Sequence, residues 1–125
     1  MFEKIHTDAA PAAIGPYSQA TKVGNIVYLS GQIPLDPQTM EVVKGGIAEQ
    51  TNQVFANLTA VTKAAGGGLQ HLAKLTIFLT DLNDFAVVNS IMAEYFTEPY
   101  PARATIEVSA LPKGVAVEIE AIMVV

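Results

Sequence analysis

Cysteine is absent from the 125 residues. That excludes disulfides and thiolate nucleophiles, and it removes cysteine usage as a guide to compartment. Histidine is nearly absent: His6 and His71 stand far apart, give no zinc-ligand spacing and read as ordinary surface residues, so no metal site is expected. Charge is scarce, at 15% of residues beside 50% hydrophobic ones, where an average soluble domain has about 25% charged. This deficit predicts that another copy of the chain covers part of the surface. Basic charge is scarcer still, with 7 Lys and Arg against 12 Asp and Glu and a net charge of -5. That is the wrong sign for gathering nucleic acid by counterion release, and no basic-aromatic platform offsets it. No apolar run approaches membrane-spanning length, and Met1 to Ile5 lacks a basic segment followed by an apolar one. The expectation is therefore a soluble, cytoplasmic protein without a membrane partner.

What is present suits one domain over residues 1–125, long enough to bury roughly two thirds of its extended surface. Phe2 to Thr7 alternates loosely and is expected as an edge strand. Pro11, Gly15 and Pro16 deny regular structure to the next segment, which delivers Tyr17 out of an ordered loop. Ser18–Val23 and Ile26–Ser30 flank Gly24-Asn25, a hairpin signal. The second of these strands ends in Ser30-Gly31, where a glycine lets backbone approach a ligand and present its N–H. A helix is predicted from about Ile47 to Ala65, with Ile47, Val54, Leu58, Val61 and Ala65 on one stripe and Glu49, Gln53 and Asn57 away from it. Gly66-Gly67-Gly68 ends it; with no strand before them, these glycines read as a C-cap rather than a phosphate loop.

Leu72 to Thr80 reads as a central strand, with Ala73, Leu75, Ile77 and Leu79 on one face and Lys74, Thr76, Phe78 and Thr80 on the other. Asp81 or Asn83 caps a second helix, about Asp84 to Phe96, in which Asn89 is a mildly unfavourable mid-helix residue. Pro101 to Val108 and Val117 to Glu120 then alternate with period two around Leu111-Pro112-Lys113-Gly114, and are expected to pair as a hairpin. Arg103, Thr105 and Glu107 share one face of the first strand; Glu118 and Glu120 share one face of the second. Together with Thr76 and Phe78, Arg103, Thr105 and Glu118 are expected on the sheet face away from the helices. A cross-strand ion pair on a solvated face is one reading of these charges, and a binding site is the other. No internal repeat or low-complexity tract occurs. Two amphipathic helices on one face of a mixed sheet make an α+β fold.

The run Pro101-Ala102-Arg103, with Ala104, Ile106 and then Val117-Glu118-Ile119, is similar to the signature of the Rid (YjgF) family of enamine/imine deaminases, and looks closest to its RidA branch. Ala10 to Gln19, Ser30-Gly31-Gln32-Ile33-Pro34 and Asp81 to Phe85 with Asn89 resemble the family's other blocks in the same order. The resemblance implies a chorismate-mutase-like fold assembled as a homotrimer around a central barrel, with clefts between subunits. It also implies hydrolysis of 2-aminoacrylate-type enamines and their imine tautomers, released by pyridoxal-phosphate enzymes, to 2-keto acids and ammonia without a cofactor of its own. Carried onto this chain, the resemblance makes Arg103 the carboxylate clamp and Glu118 the residue that orients or deprotonates water. It places Tyr17, Ser30, Gly31 and Asn89 around the substrate, with Thr105 where relatives often carry cysteine. An endoribonuclease or translation inhibitor, and a non-catalytic small-acid sensor or holdase, are the alternatives.

Overall fold

The computed structural model describes all 125 residues. In chain order the elements are β1 (Glu3–Ile5), β2 (Ala20–Val23), β3 (Ile26–Gln32), α1 (Ile47–Ala64), β4 (Leu72–Leu79), α2 (Phe85–Tyr95), β5 (Ala102–Glu107) and β6 (Val117–Val124). The six strands form one sheet in the order β1-β2-β3-β6-β4-β5, antiparallel throughout except for the parallel pair β4 and β5. Ala20 pairs with Leu29 and Val23 with Ile26, so Gly24-Asn25 closes the predicted hairpin. β1 is an edge strand, as its loose alternation suggested.

The alternation of β6 explains its central place. Val117, Ile119, Ala121 and Met123 are all buried, and the strand runs four residues beyond the predicted Glu120. Together with Leu75, Ile77 and Leu79 of β4 and Val27 and Leu29 of β3, they form the sheet side of the core. Val54, Phe55, Leu58 and Val61 of α1 and Val88, Ile91 and Met92 of α2 close it from above, each such side chain stabilising the fold by roughly 1.5–3 kcal/mol. Phe55 fixes one helix on the other, stacking on Tyr95 at 5.0 Å and meeting Phe96 edge-on at 5.7 Å. At the end of α1 the Gly67 N–H donates to the Thr62 carbonyl and the Gly66 N–H to that of Lys63, with Gly66 at φ 96°. This is a Schellman cap, and it confirms the C-cap reading of the glycines.

Four expectations about the fold fail. β5 and β6 are not a hairpin: β4 lies between them, because the buried face of β6 needs neighbours on both sides and α2 returns the chain to the outer edge of β4. Ala73 is exposed rather than on the core face, since the ladder between β4 and β6 slips between Leu72 and Lys74 and turns Leu72 inward instead. Asn57 is not on the solvated side of α1 but buried, its amide donating to the carbonyls of Ile33 and Leu35. His71 is also half-buried, accepting from the Gly68 N–H, whereas His6 pairs with Asp8 at the surface.

The sheet face away from the helices carries Tyr28, Thr76, Phe78, Ala104, Ile106, Glu118, Glu120 and Ile122, all half-buried or exposed. Ile106 is 45% exposed there.

Candidate functional site

Side chains of residues partnered across a ladder project to the same side of the sheet. Arg103 is partnered with Leu75 and Thr105 with Ile77, so both lie on the helix side; Glu118 is partnered with Phe78 and lies on the open side. The expectation of a single face for Arg103, Thr105 and Glu118 is therefore wrong. Apolar Ala104 and Ile106 suggested the inward face of β5, but as an edge strand β5 turns them to the open face and leans its polar residues on α2. The candidate residues accordingly form two groups.

The first group lies between β5 and α2. Pro99 and Pro101 prevent α2 from continuing and lead the chain extended into β5, with Arg103 as its second residue. The guanidinium rests on a stripe of α2 spaced by four and three residues. Its Nη1 donates to Asn89 Oδ1 at 2.6 Å and to Met92 Sδ at 3.6 Å, and its carbon lies 5.1 Å from the centre of the Phe85 ring. Asn89, unfavourable by propensity, is thus the residue that aims the arginine. Neither Phe85 nor Met92 is marked by the sequence as a partner of the arginine. Beside the arginine opens a cavity of about 430 Å³ lined by Asn89, Met92, Ala93, Tyr100, Pro101 and Arg103. Further along the same face, Thr105 Oγ1 is buried without a hydrogen-bond partner.

Arg103 makes no ion pair within its chain; the one contact of a basic side chain with a carboxylate is His6 with Asp8. The cross-strand pair that the alternating charges suggested does not form, because β4 separates β5 from β6.

The second group gathers where β3 meets β6. The ladder between them breaks between Leu29 and Gln32, and Ser30-Gly31 sits in that irregularity. A Cβ on Gly31 would come within 2.9 Å of the Glu118 carboxyl carbon, so glycine is what allows the carboxylate to lie against β3. Ser30 is tied inward, its hydroxyl donating to the Ser18 carbonyl at 2.6 Å and its N–H to the Gln19 carbonyl at 3.0 Å. Gln19, buried, in turn accepts from the Thr7 N–H and donates to the carbonyls of Thr7 and Pro11, which anchors the loop delivering Tyr17. Tyr17 and Gly31 line one cavity of about 470 Å³. Burial, and secondarily the neighbouring charge of Glu120, raises the Glu118 carboxyl above the ordinary carboxylate range. No group of three His, Asp or Glu converges anywhere in the chain, and no helix is long and apolar enough to cross a membrane.

The two groups supply complementary chemistry. One is a fixed planar cation suited to a carboxylate; the other is a carboxylate whose proton affinity is moved toward neutrality, next to backbone and hydroxyl groups.

The chain is similar to known proteins along nearly all of its length. A RutC family protein of Pyrococcus horikoshii is 55% identical over 122 residues, covering 98% of this chain and 97% of the relative. A protein of Dermatophagoides farinae named 2-iminobutanoate/2-iminopropanoate deaminase is 48% identical over 121 residues, covering 97% and 94%. Among solved structures, RidA of the Antarctic bacterium Psychrobacter sp. PAMC 21119 superposes with a TM-score of 0.95 at 54% identity, covering 98% of this chain and 99% of that one. TdcF of E. coli with bound serine superposes with a TM-score of 0.93 at 43% identity, covering 98% of each. The family model described as endoribonuclease L-PSP matches residues 7–125, and with these relatives it establishes that the chain belongs to the Rid (YjgF) family.

Proposed function

We propose that this chain is a single-domain Rid enzyme that hydrolyses 2-enamino and 2-imino acids to 2-keto acids and ammonia. It acts in the cytoplasm as a homotrimer whose sites lie between protomers. The observation that carries the reading is Arg103, pre-aimed by Asn89 and left without a carboxylate of its own chain. A relative named as an imine deaminase and a neighbour with bound serine support a small amino-acid-like ligand with a carboxylate to offer. Because Arg103 and Glu118 lie on opposite faces of one sheet, one site can use both only if they come from two copies.

In the reaction the enamine carbon takes up a proton from solvent to give the iminium. Water then adds to the carbon of the C=N bond, passing a proton to Glu118, which hands it to the amino nitrogen; the tetrahedral carbinolamine expels ammonia, and its hydroxyl proton returns to solvent as the ketone forms. Arg103 holds the carboxylate. Tyr17, Ser30, Gly31, Asn89 and Thr105 surround the remaining polar atoms, Asn89 through the arginine it orients. No covalent intermediate and no cofactor enters, because the substrate already hydrolyses in water and the task is orientation, proton transfer and charge stabilisation.

The family model's description raises RNA as a rival substrate. The net charge of -5 argues against a polyanion as the ligand.

The test is keto acid release from imines generated in situ, with wild type and Arg103→Ala compared. Loss of the clamp leaves the anion unpaired in the cleft and costs roughly 2–5 kcal/mol in binding or transition-state stabilisation. Turnover at low substrate should nearly vanish in the alanine variant, and Arg103→Lys should restore only part of it. An active Arg103→Ala protein of unchanged oligomeric state would remove the assignment.

A further inference from the structure

Among the four methionines, Met92 is held in a way that apolar packing does not call for. Met123 lies wholly in the core and Met1 in solvent. Met92 is 5% exposed on α2, yet its Sδ accepts from the Arg103 Nη1 at 3.6 Å and it lines the cavity of about 430 Å³ beside that arginine. The chain has no cysteine, so its methionine thioethers are its only oxidisable sulfur.

Asn89 and Met92, neighbours on one face of α2, reach the same nitrogen. Nη1 carries a pair of hydrogens. One is committed to Asn89 Oδ1 at 2.6 Å, and the other meets a thioether, a weak acceptor. The guanidinium is thereby aimed but not satisfied, and its second hydrogen stays free to move to a carboxylate. A stronger acceptor at the sulfur would end that freedom.

Oxidation supplies one. A hydroperoxide transfers a single oxygen to the Sδ lone pair: the O–O bond breaks, the S=O bond forms, sulfur gives up an electron pair, and water or an alcohol leaves with the proton. The product oxygen is a strong acceptor, set against Nη1 by the contact already present. The cavity provides the route, since about 430 Å³ is many times the roughly 30 Å³ that one water-sized molecule occupies. Met123, with no exposed surface, has no such route.

We propose that Met92 is a modification site: its thioether, oxidised to the sulfoxide by hydroperoxides, ties Nη1 of Arg103 to α2 and loosens the carboxylate clamp until the sulfoxide is reduced. The effect on turnover rests on the deaminase reading and adds regulation of that site. Met92 acts through the arginine, so it is a positioning residue. A clamp that loses one prong of its fork binds substrate and transition state alike more weakly, which raises KM and leaves kcat in place. One hydrogen bond to a charged group corresponds to a factor of about ten or more.

The experiment exposes the whole protein to hydrogen peroxide, removes the excess with catalase, locates the sulfoxides by peptide mass spectrometry and measures keto acid release from imines supplied by threonine dehydratase. Sulfoxide at Met92 should raise KM about tenfold or more at nearly constant kcat, and methionine sulfoxide reductase should restore it. Met40 lines the cavity beside Gly31, so Met40→Leu is treated in parallel and should respond as wild type does. Met92→Leu should give the same KM with and without peroxide. Met92→Gln, with an amide oxygen where the sulfoxide oxygen would stand, should show the raised KM untreated; should that variant not fold, the oxidised wild type decides. Met92 left unoxidised while Met1 is converted, an unmoved KM in the Met92 sulfoxide, or a response that survives in Met92→Leu overturns the proposal. If no imine is hydrolysed, the deaminase reading falls by itself, and pyruvate affinity measured by calorimetry then judges the switch. A weakening of about tenfold or more with Met92 oxidised supports it, and any other result overturns it.

Discussion

Glu118 is the residue whose surroundings most alter its chemistry. Burial first, and the Glu120 charge second, make its carboxyl hold a proton to higher pH than in the unfolded chain. The sign for stability follows by linkage. The folded state binds the proton more tightly, so this contribution is fully present below the unfolded carboxylate pKa and is lost as pH rises through the raised folded value. Glu118→Gln should flatten that part of the stability profile, measured by chemical denaturation across pH. For catalysis the sign is opposite, because a general base must be deprotonated: turnover should climb with pH through the same raised pKa. Glu118→Gln should remove that limb and slow hydrolysis by on the order of a hundredfold or more while still binding a keto-acid analogue. Glu120→Gln should only move the limb toward lower pH. If Glu120→Gln gives the large loss and Glu118→Gln none, the two same-face glutamates have exchanged roles.

At the scale of elements, two buried amides and a half-buried one hold the loops around the second group of candidate residues. Gln19 anchors the N-terminal loop, Asn57 of α1 reaches the backbone at Ile33 and Leu35, and Gln50 of α1 accepts from the Ala116 N–H just before β6. Asn57→Ala leaves two carbonyls without their donor and the Gln53 amide without its acceptor. Each buried orphan costs roughly 1–3 kcal/mol, so calorimetry should show a melting temperature lower by several degrees; an unchanged one would mean that water replaces the amide. The sequence could not show this. Helical periodicity gave the direction of Asn57 as away from the stripe, but direction around an axis does not tell how deep a neighbouring loop covers that side. Period two fared similarly. It located β4, β5 and β6 and the charges on them, because alternation is a property of each strand alone. It does not tell which strand neighbours which, so alternation alone pairs β5 with β6 and puts Arg103 on the face of Glu118, whereas β4 lies between the two strands. Where a turn carries its own chemistry, as at Gly24-Asn25 or Gly66, local sequence was sufficient.

For the whole molecule, the separation of Arg103 from Glu118 becomes a prediction about assembly. A face bearing Tyr28, Phe78, Ile106 and Ile122 is apolar enough to favour association. If protomers associate as a closed trimer, each cleft draws its arginine from one copy and its glutamate from the next. Arg103→Ala and Glu118→Gln should each be nearly inactive alone, yet mixing them by co-refolding should recover activity. A working site needs Arg103 from a Glu118→Gln protomer beside Glu118 from an Arg103→Ala protomer, which random closed assembly supplies at about a quarter of the sites. The rate of the mixture should therefore approach roughly a quarter of wild type, with light scattering giving three times the mass of the chain. A site contained within one protomer would stay inactive however the variants were mixed, and a stable monomer at micromolar concentration would leave Arg103 and Glu118 without a shared cleft.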